Sequence, residues 1–235
     1  METQLKLPIY VIGDSHTRAF SFNTNFFPLF VGAGKENCFV SDETLRNITA
    51  NFFKTLDALV SDNPVMLVVG EPDTRFYLGQ GWYPWDSKVK ENISGFEKKV
   101  DGSIDRVETL LDKLKKRYTN KFILFNVTPS QRVNQNKVTD YFNRKLEQLC
   151  KKRDCLFVFI NDKIYSGDEK IIHEKYYGDT VHLNNKIQPL VEAILKENDL
   201  IGKSGFDENV QWSHQEVMKK FSFDEKFGCY KLING

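Results

Sequence analysis

Five short apolar runs, separated by stretches of helical periodicity, constrain this chain more than anything else in it. They occupy residues 8–12, 26–31, 65–69, 122–127 and 156–160. Each is five or six residues long and rich in Val, Ile, Phe and Leu. None shows the strict apolar–polar alternation of a strand with one wet face. Runs like these read as strands buried on both sides. Strands of that kind belong to a parallel sheet covered by helices on both faces, so the fold class is α/β.

The intervening stretches supply the helices. Ser41-Asp42-Glu43-Thr44 offers an N-terminal cap with acids in the first turn. Leu45, Ile48, Phe52, Leu56 and Leu59 follow along one side, with Phe53 beside them, until Asn63-Pro64 stops the helix. Ile104, Val107, Leu110, Leu111 and Leu114 mark a second amphipathic helix with a Lys/Arg-rich end. Residues 138–150 read as a third. Residues 187–195 read as a fourth, with Pro189 confined to its first turn.

Two regions break the alternation. Residues 76–96 hold Gly79, Gly81, Tyr77, Trp82, Tyr83 and Trp85 with no clear period, and read as a long insertion. Residues 201–235 follow the last helix and read as a C-terminal appendage. Trp212, Phe221, Phe223 and Phe227 there are costly to leave in water. The chain of 235 residues is therefore divided into a domain over 1–200, carrying the 76–96 insertion, and the appendage.

Composition narrows the function classes. A net charge of +1 gives no broad attraction to nucleic acid or to an anionic membrane. The four Cys residues, Cys38, Cys150, Cys155 and Cys229, form no CxxC pair, so neither a metal site nor a disulfide framework is expected. No run is long enough to cross a bilayer. The start Met-Glu-Thr-Gln-Leu-Lys has no apolar signal region, so the expected compartment is cytoplasmic. Asn92-Ile93-Ser94, a glycosylation pattern, is discounted on the same ground.

The first strand ends in Gly13-Asp14-Ser15-His16. In open α/β sheets ligands bind outside the carboxyl ends of the strands, where Ser15 is delivered. Far downstream stands Asp179-Thr180-Val181-His182-Leu183. A serine hydroxyl becomes a nucleophile when a base takes its proton. His182 can be that base, and Asp179 can hold the imidazole and stabilise its protonated form. His173 and His214 match no motif and read as surface residues.

Gly13-Asp14-Ser15 after the first strand, with Asp179-x-x-His182 before the last helix, resembles the SGNH (GDSL-type) hydrolase superfamily. The resemblance implies a flavodoxin-like three-layer α/β/α sandwich with a five-stranded parallel sheet. It also implies a serine esterase that needs no cofactor and no metal. The family's oxyanion donors would be the Ser15 N–H and a glycine N–H after the second strand. Gly34 is favoured for the latter, with Gly32 as the other choice. The family's third donor is an Asn side chain after the third strand. Here Gly70-Glu71-Pro72-Asp73 puts Pro72 at that position, which has neither a side-chain donor nor a backbone N–H.

Nearby residues offer substitutes. Arg75 can stabilise negative charge or grip an acidic substrate, with Glu71 orienting it; the other reading is a salt bridge at the rim. Glu71-x-Asp73-x-Arg75, together with His16 after the serine, resembles a subset of SGNH-like proteins found beside glycan-modifying enzymes. Trp82 and Tyr83 can line a sugar-binding cleft or pack into a lid of their own. The expected substrate is a small ester or glycan ester, and the expected activity is removal of acetyl groups from a carbohydrate. Two alternatives stand beside it. One is an O-acetyltransferase with the same triad. The other is a glycan-binding or scaffold protein that has kept the fold, for which Pro72 is the main support.

Overall fold

A computed structural model of the chain describes residues 8–32, 38–59, 62–77, 95–129, 133–166, 171–179, 181–201, 219–225 and 228–233. The five apolar runs form strands β1 (Ile9–Gly13), β2 (Phe26–Phe30), β3 (Val65–Val68), β4 (Phe122–Phe125) and β5 (Leu156–Val158). They lie parallel in the order β5-β4-β3-β1-β2. That is the flavodoxin-like order 2-1-3-4-5, and its switch point lies beside β1.

Helices α1 (Asp42–Ala58), α2 (Glu71–Tyr77), α3 (Phe96–Arg117) and α4 (Val133–Arg153) connect the strands. The short α5 (Asn161–Ile164) and α6 (Gln188–Glu197) follow β5. A small two-stranded hairpin, β6 (Tyr165–Ser166) with β7 (Ile171–Ile172), lies between them in sequence. Among the described residues no helix is long and apolar enough to cross a membrane.

The strands are apolar throughout because both faces are covered. Tyr10, Ile12, Val65, Leu67, Phe122 and Leu124 pack with the apolar faces of α1, α3 and α4. The alternate residues Ile9, Val11, Met66, Val68, Ile123 and Phe125 pack with Phe20, Val191 and Leu195 on the other side. The result is the three-layer sandwich. Ser41 caps α1 reciprocally with Thr44, as its sequence predicts, which stabilises the helix by about 1 kcal/mol.

The five-stranded sheet expected from the sequence is extended to seven. After α6 come β8 (Phe221–Asp224) and β9 (Cys229–Leu232), an antiparallel hairpin. Strand β9 joins the free edge of β2 in parallel, pairing Leu29 with Tyr230. Within the 201–235 segment, Phe221 is buried in the main core and Phe223 is exposed, while Trp212 and Phe227 lie outside the described residues. Phe27 stacks on Tyr230, with ring centroids 4.5 Å apart. The 76–96 stretch contributes Tyr77 to the end of α2 and Phe96 to the start of α3, and residues 78–94 lie outside the described set.

Two glycines are required by contact. A Cβ on Gly13 would lie 2.0 Å from the Val68 carbonyl oxygen, so β1 and β3 approach too closely for any side chain there. Gly70 has φ +99°, and a Cβ on it would meet the Phe142 ring at 2.7 Å. Both stand at the carboxyl ends of their strands, beside Ser15 and the start of α2.

Candidate active site

Ser15 opens a 3-10 helix over Ser15–Phe20 directly after β1. Asp14 caps it, accepting the His16 N–H through Oδ1 at 2.8 Å. Thr17 closes the turn on the Asp14 carbonyl with its N–H and its hydroxyl. The Ser15 N–H makes no hydrogen bond among the described residues, as befits the first residue of a helical turn.

His182 reaches this point from a loop tied to itself. Tyr177 bridges Leu183, the Gly178 N–H donates to the His182 carbonyl at 2.8 Å, and Asn184 donates to the carbonyls of Lys175 and Tyr177. The His182 Nε2 stands 2.8 Å from Ser15 Oγ. Its Nδ1 stands 3.0 Å from both carboxylate oxygens of Asp179. A carboxylate only accepts, so Nδ1 carries the proton and Nε2 is left to accept from the serine hydroxyl. Asp179 also accepts the N–H groups of Val181 and His182, at 2.9 and 2.8 Å, and pairs with the Arg18 guanidinium.

The electrostatics suit a resting base. Burial opposes ionisation of Asp179, but its three donors and the nearby His182 outweigh that and hold the carboxyl well below the usual carboxylate range. Burial, reinforced by His16 and Arg18, pushes His182 down to about 3, against the pull of Asp179. The imidazole is therefore neutral at neutral pH and able to accept a proton.

The other predicted residues are placed differently from one another. His16 and Glu71 are brought together beneath the triad, both buried; His16 Nε2 stands 4.0 Å from Glu71 Oε2. Asp73 is fully buried and accepts from the Phe39 N–H at 2.7 Å and the Ser103 hydroxyl at 2.9 Å, joining α2 to α3. Gly32 follows β2, with φ 142°, next to the Val31 N–H that bonds Gly13. Gly34, Trp82, Tyr83 and the side chain of Arg75 lie outside the described residues. Pro72 stands in the first turn of α2, where its missing N–H costs no intrahelical hydrogen bond.

Arg18 is the residue that sequence reasoning missed. Residues three apart eclipse in a 3-10 helix, so Ser15 and Arg18 face the same way; the spacing was visible, the helix type was not. A second unforeseen group ties the Ser15 turn to α6. The buried Gln188 donates to the carbonyls of Ala19 and Ser21, at 2.9 and 2.8 Å. Asn23 donates to Gln188 and Glu192, and Asn25 also donates to Glu192. A cleft of about 840 Å³ lined by Asn143, Cys150, Phe157 and Phe159 includes no triad residue.

No family model matches the chain, and no curated protein matches it. Solved structures do. An acylhydrolase-like protein from Bacteroides fragilis superposes with a TM-score of 0.55 at 13% identity, over 84% of this chain and 90% of that one. An acetylxylan esterase from Geobacillus stearothermophilus gives 0.54 at 15%, over 86% and 100%. A GDSL-like lipase from Bacteroides thetaiotaomicron gives 0.53 at 16%, over 82% and 87%. The chain thus has the α/β/α fold of the GDSL-type lipolytic proteins and acetylxylan esterases to which it is similar.

Proposed function

We propose that this chain is a serine esterase of the SGNH type that removes acetyl groups from a carbohydrate. The observation that carries the reading is the unbroken line from Ser15 Oγ through His182 to Asp179, with contacts of 2.8 and 3.0 Å. Ser15 Oγ attacks the ester carbonyl carbon while its proton passes to His182 Nε2. The C–O bond to the alcohol then breaks, and the alcohol leaves with that proton. Water repeats the sequence on the acyl-enzyme and releases the acid.

In this scheme the Ser15 N–H, with an N–H of Gly32 or Gly34, is assigned to the developing oxyanion. Pro72 supplies no third donor. One missing donor costs about 2.7–4 kcal/mol of transition-state stabilisation, so a slower enzyme is expected unless another cation serves. Arg75 is the candidate for that role, and Trp82 and Tyr83 are the candidates for holding a sugar ring. The carbohydrate part of the reading is supported by the acetylxylan esterase among the similar structures.

Hydrolysis of a chromogenic acetate ester by the protein and its Ser15→Ala variant tests the proposal. Turnover by the parent protein that falls by roughly 10⁴-fold or more in the variant is the expected result. Absence of turnover in the parent, or equal rates in both, refutes it.

A further inference from the structure

Directly behind the triad lies a second carboxylate–histidine arrangement. The Asp14 carboxylate accepts from His16 Nδ1 at 2.9 Å as well as from the His16 N–H. On the far side of the same ring, Nε2 stands 4.0 Å from the Glu71 carboxylate. Asp14, His16 and Glu71 are each at most 4% exposed. The His16 ring lies against the His182 ring, with centroids 4.6 Å apart and planes tilted by 36°.

A ring bonded to one buried carboxylate at Nδ1, with a second carboxylate 4.0 Å from Nε2, is favoured electrostatically in its cationic form. The charged groups around the two rings come from three elements. Asp14 and Arg18 stand on the Ser15 turn, Glu71 on α2 and Asp179 on the late loop. Asp73, deeper in α2, acts on Asp14 through space. Burial opposes ionisation of Asp14, but its bonds and charge interaction with His16 outweigh that and hold the carboxyl below its ordinary value.

We propose that Asp14, His16 and Glu71 form a buried charge unit in which His16 is an imidazolium, and that this positive ring, packed 4.6 Å from the His182 ring, opposes protonation of His182. These are positioning residues, since they act on the ester only through His182. The inference rests on the esterase reading for its consequence: ester cleavage persists at pH values where an unassisted histidine base is already protonated. His182 lies low for the same physical reason, burial first and the His16 charge second.

The test is an NMR titration of the ring signals of His182 in the intact protein, in His16→Asn and in Glu71→Gln. The chain has four His residues, so assignment by single substitution is direct. The parent His182 is expected to stay neutral below pH 5. Its midpoint should rise by about one pH unit or more in either variant, because each removes or neutralises the adjacent positive ring. Glu71→Gln keeps the side-chain volume and carries the test if His16→Asn does not fold. A parent His182 that titrates near 6.5, or a midpoint unmoved in a folded variant, overturns the proposal. The titration reads the ring whether or not an ester is cleaved. A His182 midpoint that rises in the variants of a protein without esterase activity therefore upholds the charge unit and removes only the proposed reaction. With activity present, the acid limb of kcat/KM must move with the NMR midpoint.

Discussion

At the scale of single residues, the site depends on how tightly Asp179 is fixed. It receives two backbone N–H groups from its own loop and one guanidinium from the Ser15 turn. Arg18 therefore links the two halves of the triad across 161 residues of sequence. Replacing Arg18 with Gln leaves the loop donors in place and removes the cross-link. Asp179 is 44% exposed, so solvent screens much of the pair. The expected loss is about 1 kcal/mol, or roughly fivefold in kcat/KM on a chromogenic acetate, with the overall stability little changed. Ser15, Asp179 and His182 were legible in the sequence because their motif and their places beside a strand and a helix agree. Arg18 was not, because a six-residue segment gives no periodicity with which to tell a 3-10 turn from an α-helix.

At the scale of elements, the five parallel strands were legible because burial on both faces leaves no polar residue to confuse the pattern. The hairpin β8–β9 was not: Phe-Ser-Phe-Asp and Cys-Tyr-Lys-Leu are only four residues each, and the first, at the sheet edge, is half polar. Helix α2 was hidden by Pro72, which reads as a breaker unless it falls in a first turn. The element contact that matters most to the site is the one between the Ser15 turn and α6. Gln188→Ala removes the donor to the Ala19 and Ser21 carbonyls and the acceptor for Asn23. Each buried polar group left unpaired costs about 1–3 kcal/mol, so a clear fall in the urea midpoint is expected. An unchanged midpoint would show that this network does not hold the two segments together.

At the scale of the whole molecule, the half-buried His182 and the buried Asp73 are expected to set opposite pH dependences on folding. His182, lowered to about 3, contributes stability that is present above pH 6.5 and lost as pH falls toward 3. Asp73 is raised to about 7, chiefly by burial and only partly offset by its bonds to Ser103 and Phe39. Its contribution is present below pH 3.8 and lost as pH rises through 7. The two slopes, each up to about 1.4 kcal/mol per pH unit, oppose one another where the windows overlap. Asp73→Asn removes one of them. Its stability is expected to rise from pH 4 to 6.5 more steeply than that of the parent. From pH 6 to 8 it should escape the decline expected of the parent. Urea denaturation across that range measures both limbs, and parallel curves for the two proteins would contradict the assignment.

The account depends on Ser15 being a nucleophile rather than only the first residue of the turn that Asp14 caps. The most direct measurement is mass spectrometry of the intact protein and its peptides after reaction with a fluorophosphonate. A single adduct on the peptide containing Ser15, absent from Ser15→Ala and greatly slowed in His182→Ala, is the predicted result. A protein that remains unlabelled, or one labelled at another serine with Ser15 untouched, would contradict it.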